Sequence, residues 1–333
     1  MRGPTSHDVA RLAGVSQPTV SRGLRDDPIV SVKTRRRIRE AAAQLGYVPS
    51  RRGRSLSTRD TGHVAIVVSD LGNPFYMEAV EHLHREFDRV GVRVVVLTDV
   101  TDRPPSAEAL LDGSIDGVVL TTTQLGSALP GELARRGLPV VLFNRATDGP
   151  GVDTCSSENH SGARAVAVEL ASLGHTRIGA ILGPQDTSTG RDREAGFRTG
   201  LAELGLALPD VLVRRGEFSF AAGRRGLQEL WTDARPPTAI FCANDVIALG
   251  VLDAARGLGI DVPGGLTVVG FDDIAMAAWQ VFSLTTVRQD LPAMAVTVQS
   301  LLMERVAHPD VAPRHIVVPT AIVRRASHGS PAR

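Results

Sequence analysis

From His63 onwards the chain alternates short apolar runs with segments of helical period, and that alternation confines it to a parallel α/β architecture. HVAIVVSD, VRVVVLTD, IDGVVLTT and LPVVLFNR form a first set of strands, and RIGAILG, VLVRRG, TAIFCAND and LTVVGFDD form a second. LTTVRQD then leads to a helix over 290–306 and a closing strand, RHIVVPTAIVRR. The first helix opens at Asn73-Pro74 and turns Tyr76, Val80, Leu83 and Phe87 to one face. Two such sets predict two doubly wound halves, with the carboxyl ends of their strands around a shared cleft where ligands bind.

The residues at those strand ends are mostly polar. They are Ser69-Asp70 before NPFY, Asn144-Arg145, GPQDTSTGRDREAGF, CAND and GFDD. The apolar runs are far shorter than the roughly 20 residues that a membrane helix needs. The N-terminus MRGPTSHDVARLAG lacks the apolar stretch of a secretory signal. Cys155 and Cys242 stand far apart with no CxxC or Cys/His cluster, so they are expected to be reduced core residues of a cytosolic protein. No Walker A, G-x-S-x-G or H-E-x-x-H motif is present, and no G-x-G-x-x-G stands at a strand-to-helix turn. His82 and His84 fall on different helix sides, and His160 and His175 adjoin helix boundaries without metal-ligand company. Neither a metal, a cofactor nor catalysis is expected.

Charge separates the chain into two parts. Residues 1–60 hold 13 Lys and Arg against 5 Asp and Glu, a net +8, while the remainder carries −7. A basic head on an acidic body is the footprint of polyanion binding by the head. In that head Ser6 reads as an N-cap, followed by an apolar face of Val9, Ala10, Leu12 and Ala13 and a stop at Gly14. Ser16 caps a second helix, Gln17 and Pro18 fill its first turn, and Val20 and Leu24 share one face. A third helix starts at Ser31 and runs to about Leu45, with Ile38, Ala41, Ala42 and Leu45 inward and Gly46 ending it. Two short helices joined through Gly14-Val15 make a helix-turn-helix.

The wording DVARLAGVSQPTVSRGL…VSVKTRRRIREAAAQLGYVPS closely resembles the DNA-binding head of the lac repressor/galactose repressor family, and the strand-end residues extend the resemblance over essentially the whole chain. It implies an all-α helix-turn-helix head (1–48), a hinge (49–61) and a two-subdomain body like a periplasmic binding protein (62–326), followed by a tail (327–333). Subdomain one would hold 62–158 and 290–319, and subdomain two 159–289 and 320–326. By the same resemblance Gln17, Pro18 and Arg22 read bases in the major groove, where Arg pairs bidentately with guanine and Gln with adenine. Ser16, Thr19, Ser21, Ser31, Thr34 and Arg35 would contact the DNA backbone. Tyr47 is expected to pack the head, with its hydroxyl free to reach DNA.

In the hinge, Leu56 occupies the position of a leucine that wedges into the minor groove, with Arg51, Arg52 and Arg54 beside phosphates. Gly53 stands where relatives usually carry alanine, which makes a hinge helix harder to form by about 1 kcal/mol. Effector contacts carried over are Phe75 or Tyr76, Asn144, Arg193, Phe218, Asn244 and Asp272, a set suited to a polyhydroxylated ligand. Asp245 reads as a helix start, and Asn144 stands where many relatives carry aspartate. The strand-end aspartates could also serve only as caps, and Phe218 only as core. Some relatives bind purines with a similar arginine, so a sugar is expected at the level of class. The implied protein is a cytoplasmic homodimer that reads a near-palindromic operator, with an interface partly on the helix after Pro74. A cytosolic sugar-binding or sugar-active protein with an appended head is the alternative, and finding the chain exported would favour a solute receptor.

Overall fold

Residues 4–24, 26–47, 61–98, 106–149 and 151–331 are described by the computed structural model. The hinge positions Arg51, Arg52, Gly53, Arg54 and Leu56 lie outside them. The chain clusters into two units, residues 1–61 and 62–333.

The first unit contains α1 (Ser6–Ala13), α2 (Gln17–Gly23) and α3 (Val32–Leu45). Thr5, not Ser6, caps α1. The Asp8 amide donates to Thr5 Oγ1 (3.4 Å) while the Thr5 amide donates to Asp8 Oδ2 (2.9 Å). This reciprocal box needs a residue three before the acid in an extended conformation, which Thr5 has and the already helical Ser6 lacks. Val9, Ala10, Ala13, Val20, Ile38, Ala41 and Ala42 are buried together. Leu12 does not join that face and is 47% exposed. A two-turn helix presents one narrow stripe, filled by Val9 and Ala13 four residues apart, and Leu12 points off it. Helices α2 and α3 approach closely at Gly23, where a Cβ would lie 2.5 Å from Ile38 Cδ1.

The second unit holds two parallel sheets. Its elements run β1 (His63–Val68), α4 (Pro74–Arg89), β2 (Arg93–Thr98), α5 (Ala107–Leu110), β3 (Gly117–Leu120), α6 (Leu129–Arg135), β4 (Val140–Phe143) and β5 (Asp153–Ser157). There follow α7 (Asn159–Ser172), β6 (Ile178–Leu182), α8 (Ser188–Glu203), β7 (Val213–Arg215), α9 (Phe220–Leu230), β8 (Ala239–Cys242), α10 (Asp245–Gly257) and β9 (Thr267–Val269). The chain closes with β10 (Thr286–Gln289), α11 (Leu291–Ala307), β11 (His315–Val318) and β12 (Thr320–Val323). Sheet one has the order β2-β1-β3-β4-β5-β11 and sheet two β7-β6-β8-β9. Each starts its winding inside the sheet, adds one strand outward and then reverses, so each has a topological switch point where a ligand crevice forms. An antiparallel ribbon, β10 with β12, joins sheet two through a bridge from Thr285 to Val269.

Three features depart from the sequence expectation. Strand β5, DTCSS, has almost no apolar signal yet is wholly buried between β4 and β11. Pairing on both edges makes it a strand, and its polar groups are satisfied: Asp153 accepts from Arg305 Nε (2.9 Å) and the Arg314 amide (2.9 Å). The expected single closing strand is two. Pro319, which has no N–H, separates β11, parallel to β5, from β12, antiparallel to β10. Residues 327–331, expected simply as tail, are docked on the body. Ser327 exchanges backbone and side-chain bonds with Val268 (2.8 and 2.6 Å), and Gly329 O meets His175 Nε2 (2.8 Å).

The chain passes between the two halves three times, after β5, between β10 and α11, and between β11 and β12. α11 returns to sheet one, with Leu302 against Gly117 and the Met294 carbonyl 3.8 Å from Cys155 Sγ. Helices α7 and α8 pack backbone to backbone at Gly196, where a Cβ would sit 2.1 Å from the His160 carbonyl. Burial pushes the Cys155 thiol up to about 12 and raises Cys242 as well, so both are unreactive core groups.

Candidate functional site

On the head, α2 carries an exposed row. Ser16, Pro18 and Arg22 are exposed, and Gln17, Thr19 and Ser21 half-buried, while Val20 and Gly23 turn inward. Ser16 stands at the N-cap position but makes no capping bond with its side chain; its hydroxyl pairs with Thr19 Oγ1 (2.7 Å). Ser31 does cap α3, accepting from the Thr34 amide (3.2 Å). Arg35 folds back, donating to the Asp26 carbonyl (3.2 Å), so it arrives partly committed to the turn before α3. Tyr47 packs against the head core.

In the body one cavity is lined by Asn73, Phe75, Tyr76, Asn144, Thr189, Arg193, Phe218, Asn244 and Asp272. The structure thus brings together all seven of the sequence-derived cleft residues, each on a loop or helix that follows a strand of one sheet or the other. Asn73 and Thr189 were missed. Asn73 caps α4, accepting from the Phe75 amide (3.1 Å), and its signal was the Asn-Pro after a strand. Thr189 precedes Arg193 by four residues on α8 and so shares its face.

Arg193 organises the floor. It is 2% exposed, and it donates through Nε to Asn159 Oδ1 (2.8 Å) and through Nη1 to the Ala243 carbonyl (2.6 Å). Nη2 pairs with Asp272 Oδ1 at 3.1 Å, and the guanidinium lies 3.8 Å from the Phe271 ring centre. Burial lowers the Arg193 pKa, and the Asp272 charge opposes that; burial raises Asp272, and Arg193 opposes that in turn. Asp272 has φ +126° and Asn144 φ +70°, strained backbones that aim both side chains at the cavity. Asp272 caps no helix. Asn144 Oδ1 is buried and has no hydrogen-bond partner.

At CAND the two side chains do more than the sequence suggests: Asn244 lines the cavity and also caps the helix that Asp245 starts. Asn244 caps α10, accepting from the Ile247 amide (2.9 Å). Asp245 instead accepts from the Ile274 amide (3.0 Å) and Thr286 Oγ1, stapling the loop that carries Asp272. Fully buried and near Asp272 with no cation of its own, it is pushed up to about 8. Phe218 is cavity wall rather than core. Its ring stands over Gly183, where a Cβ would come within 2.3 Å, and Arg145 lies 5.8 Å from its centre.

Direct bonds span the two halves at the cleft mouth. Glu78 Oε1 accepts from the Ala275 amide (2.9 Å), the Leu125 amide donates to the Asp186 carbonyl (2.8 Å), and the Ala146 amide donates to Ser188 Oγ (2.9 Å). The cavity itself leaves about 10 Å³, room for about one water molecule.

A model of bacterial regulatory proteins of the lacI family matches residues 5–50, and a periplasmic binding protein-like domain matches residues 167–328. The HTH-type transcriptional regulator CelR of Thermobifida fusca is 33% identical over 335 residues, 98% of this chain and 98% of that protein. A solved transcriptional regulator CelR–cellobiose complex superposes with a TM-score of 0.74 and 31% identity, covering 97% of this chain and 99% of that one. The lac repressor dimer bound to operator and the anti-inducer ONPF superposes with a TM-score of 0.87 and 26% identity over 99% of this chain and 100% of that one. With a helix-turn-helix head, a two-sheet cleft and relatedness over its whole length, the chain belongs to the lacI family of bacterial regulatory proteins and is a DNA-binding regulator of transcription rather than an enzyme.

Proposed function

We propose that the protein is a cytoplasmic homodimeric repressor that reads a near-palindromic operator and is controlled by an uncharged sugar in the cleft. One observation carries the ligand class. The only ionised side chains lining the cavity among the described residues, Arg193 and Asp272, neutralise each other, leaving amides, two hydroxyls and aromatic faces. An ionic ligand would bury an unpaired charge, which is costly; a polyol would not. Asn144 Oδ1 then accepts from a ligand hydroxyl, Asn244 Nδ2 donates to another, and Phe75, Tyr76 and Phe218 cover the apolar faces of the ring. The cellobiose held by the CelR relative supports the sugar class.

Gln17, Pro18 and Arg22 read bases, with Ser16, Thr19, Ser21, Ser31 and Thr34 positioning the backbone and Arg35 contributing through its free nitrogens. A dimer places two heads on successive half-sites. The lac repressor relative is a dimer on its operator. Met77 on α4 and Val96 on β2, exposed apolar side chains at 45% and 42% on the face of sheet one that α4 covers, fit the body–body contact. Because the cavity admits about one water, a sugar enters only when the halves part, and that motion couples occupancy to the heads. A thermal-shift screen of neutral mono- and disaccharides against sugar phosphates and nucleosides tests the reading, followed by DNA binding with each hit. Neutral saccharides should stabilise the protein and change its DNA affinity. Hits confined to phosphates or nucleosides would sink the sugar class.

A further inference from the structure

We propose that Gln289 is the positioning residue that transmits the state of the Arg193–Asp272 pair to the crossovers joining the two halves. Gln289 is the last residue of β10, immediately before the second crossover, and is 3% exposed. Its Nε2 donates to Asp272 Oδ1 at 2.7 Å, the same oxygen that Arg193 holds. Its Oε1 accepts from Ser157 Oγ at 2.5 Å, and Ser157 ends β5 at the first crossover.

A second arm runs in parallel. Arg193 Nε holds Asn159 Oδ1, and Asn159 Nδ2 donates to the Ser157 carbonyl at 3.1 Å. The third crossover is touched as well. Thr320 and the Phe271 ring under Arg193 both crowd Gly162, where a Cβ would meet them at 2.8 and 3.1 Å. Ser157, Asn159, Arg193, Asp272 and Gln289 are all buried, so their bonds are not exchanged for water while the halves stay closed.

The consequence is a competition. Asp272 Oδ1 already accepts two bonds, from Arg193 and Gln289. A ligand hydroxyl that engages this carboxylate must share or displace them, and the released Gln289 changes the bond that fixes residue 157 against residue 289. This rests on the reading that the cleft takes the effector, but its test needs no effector.

Cysteines at the exposed positions Ala134 and Gln228, one in each half, are spin-labelled in the full chain and diluted with unlabelled subunits. The native cysteines are buried and stay unlabelled. Electron–electron distance measurements should give one dominant distance for the parent protein. Gln289→Met keeps the size but removes both bonds, and should raise a second, longer distance about tenfold in population. Ser157→Ala should raise it less, and decides the matter if Gln289→Met fails to fold by circular dichroism. Arg288→Ala removes an exposed side chain of β10 that pairs with Asp273 outside the relay, and should leave the distances unchanged. Parent-like distances in the folded relay variants would overturn the proposal, as would equal broadening in Arg288→Ala. A failed sugar screen with broadened Gln289→Met distances would instead remove only the ligand reading.

Discussion

The head and the cleft solve opposite problems with their functional side chains. On α2 the residues proposed to face DNA sit at or near the surface, with bonds inside the head such as Ser16 to Thr19 and Gln17 to Ser6. In the cleft the working groups are nearly all buried and tied to partners tens to more than a hundred residues away, as Arg193 is to Asp272 and Gln289 to Ser157. Exposed charge is cheap to keep and available to a polyanion, whereas buried charge must be paired before any ligand arrives. On the proposed reading the head should carry affinity that salt can screen, and the cleft selectivity that salt barely reaches.

Ionic strength gives the largest expected break between the two regions. DNA affinity should fall by about 10³–10⁵ between low and moderate salt if about 6–10 phosphates are contacted, while sugar affinity stays nearly flat. Parallel titrations of both ligands over a salt series check this, and a flat DNA response would remove the electrostatic role of the head. Next in size, Arg193→Met should destabilise the body by about 3–5 kcal/mol, because it strands Asp272 as an unpaired buried charge; urea unfolding reads the loss. Arg22→Ala should leave the melting temperature alone but cost about 1–3 kcal/mol of binding at a DNA site recovered by selection from random duplexes, with relaxed preference at one base pair.

Gly53→Ala is expected to tighten DNA binding by about 1 kcal/mol and to weaken effector control, since it favours a helical hinge. Unchanged binding would show that the hinge does not need to fold. The smallest effect concerns His175, whose pKa burial lowers. The folded protein keeps this ring neutral while the unfolded chain takes up a proton below its ordinary pKa near about 6.5. Stability is therefore present above that pH and is lost as pH falls from there toward the lowered folded pKa. Comparing the pH dependence of unfolding in the parent and in His175→Gln should show the variant lacking that fall.

The sequence by itself determined the helices of the head, the alternation that makes two parallel sheets, and the polar residues at the strand ends. Those features are local: a cap, a period or an apolar run is written within a few neighbouring residues. Even so, the single turn around Thr5 and Ser6 was off by one residue, because the reciprocal bond with Asp8, not residue type alone, selects the cap. Tertiary structure decided the rest. DTCSS became a buried strand because β4 and β11 flank it, and residues 314–325 became two strands because Pro319 ends one pairing before the next begins in the other half. Asn244 took on the cap of α10 besides lining the cavity, and the Asp245 side chain turned from the helix start to the Ile274 amide, because the loop bearing Asp272 packs beside α10. The relay from Asp272 through Gln289 to Ser157 joins residues 132 and 17 positions apart in the chain. No periodicity marks such a contact, because it exists only once three separate crossovers have been drawn into one buried place.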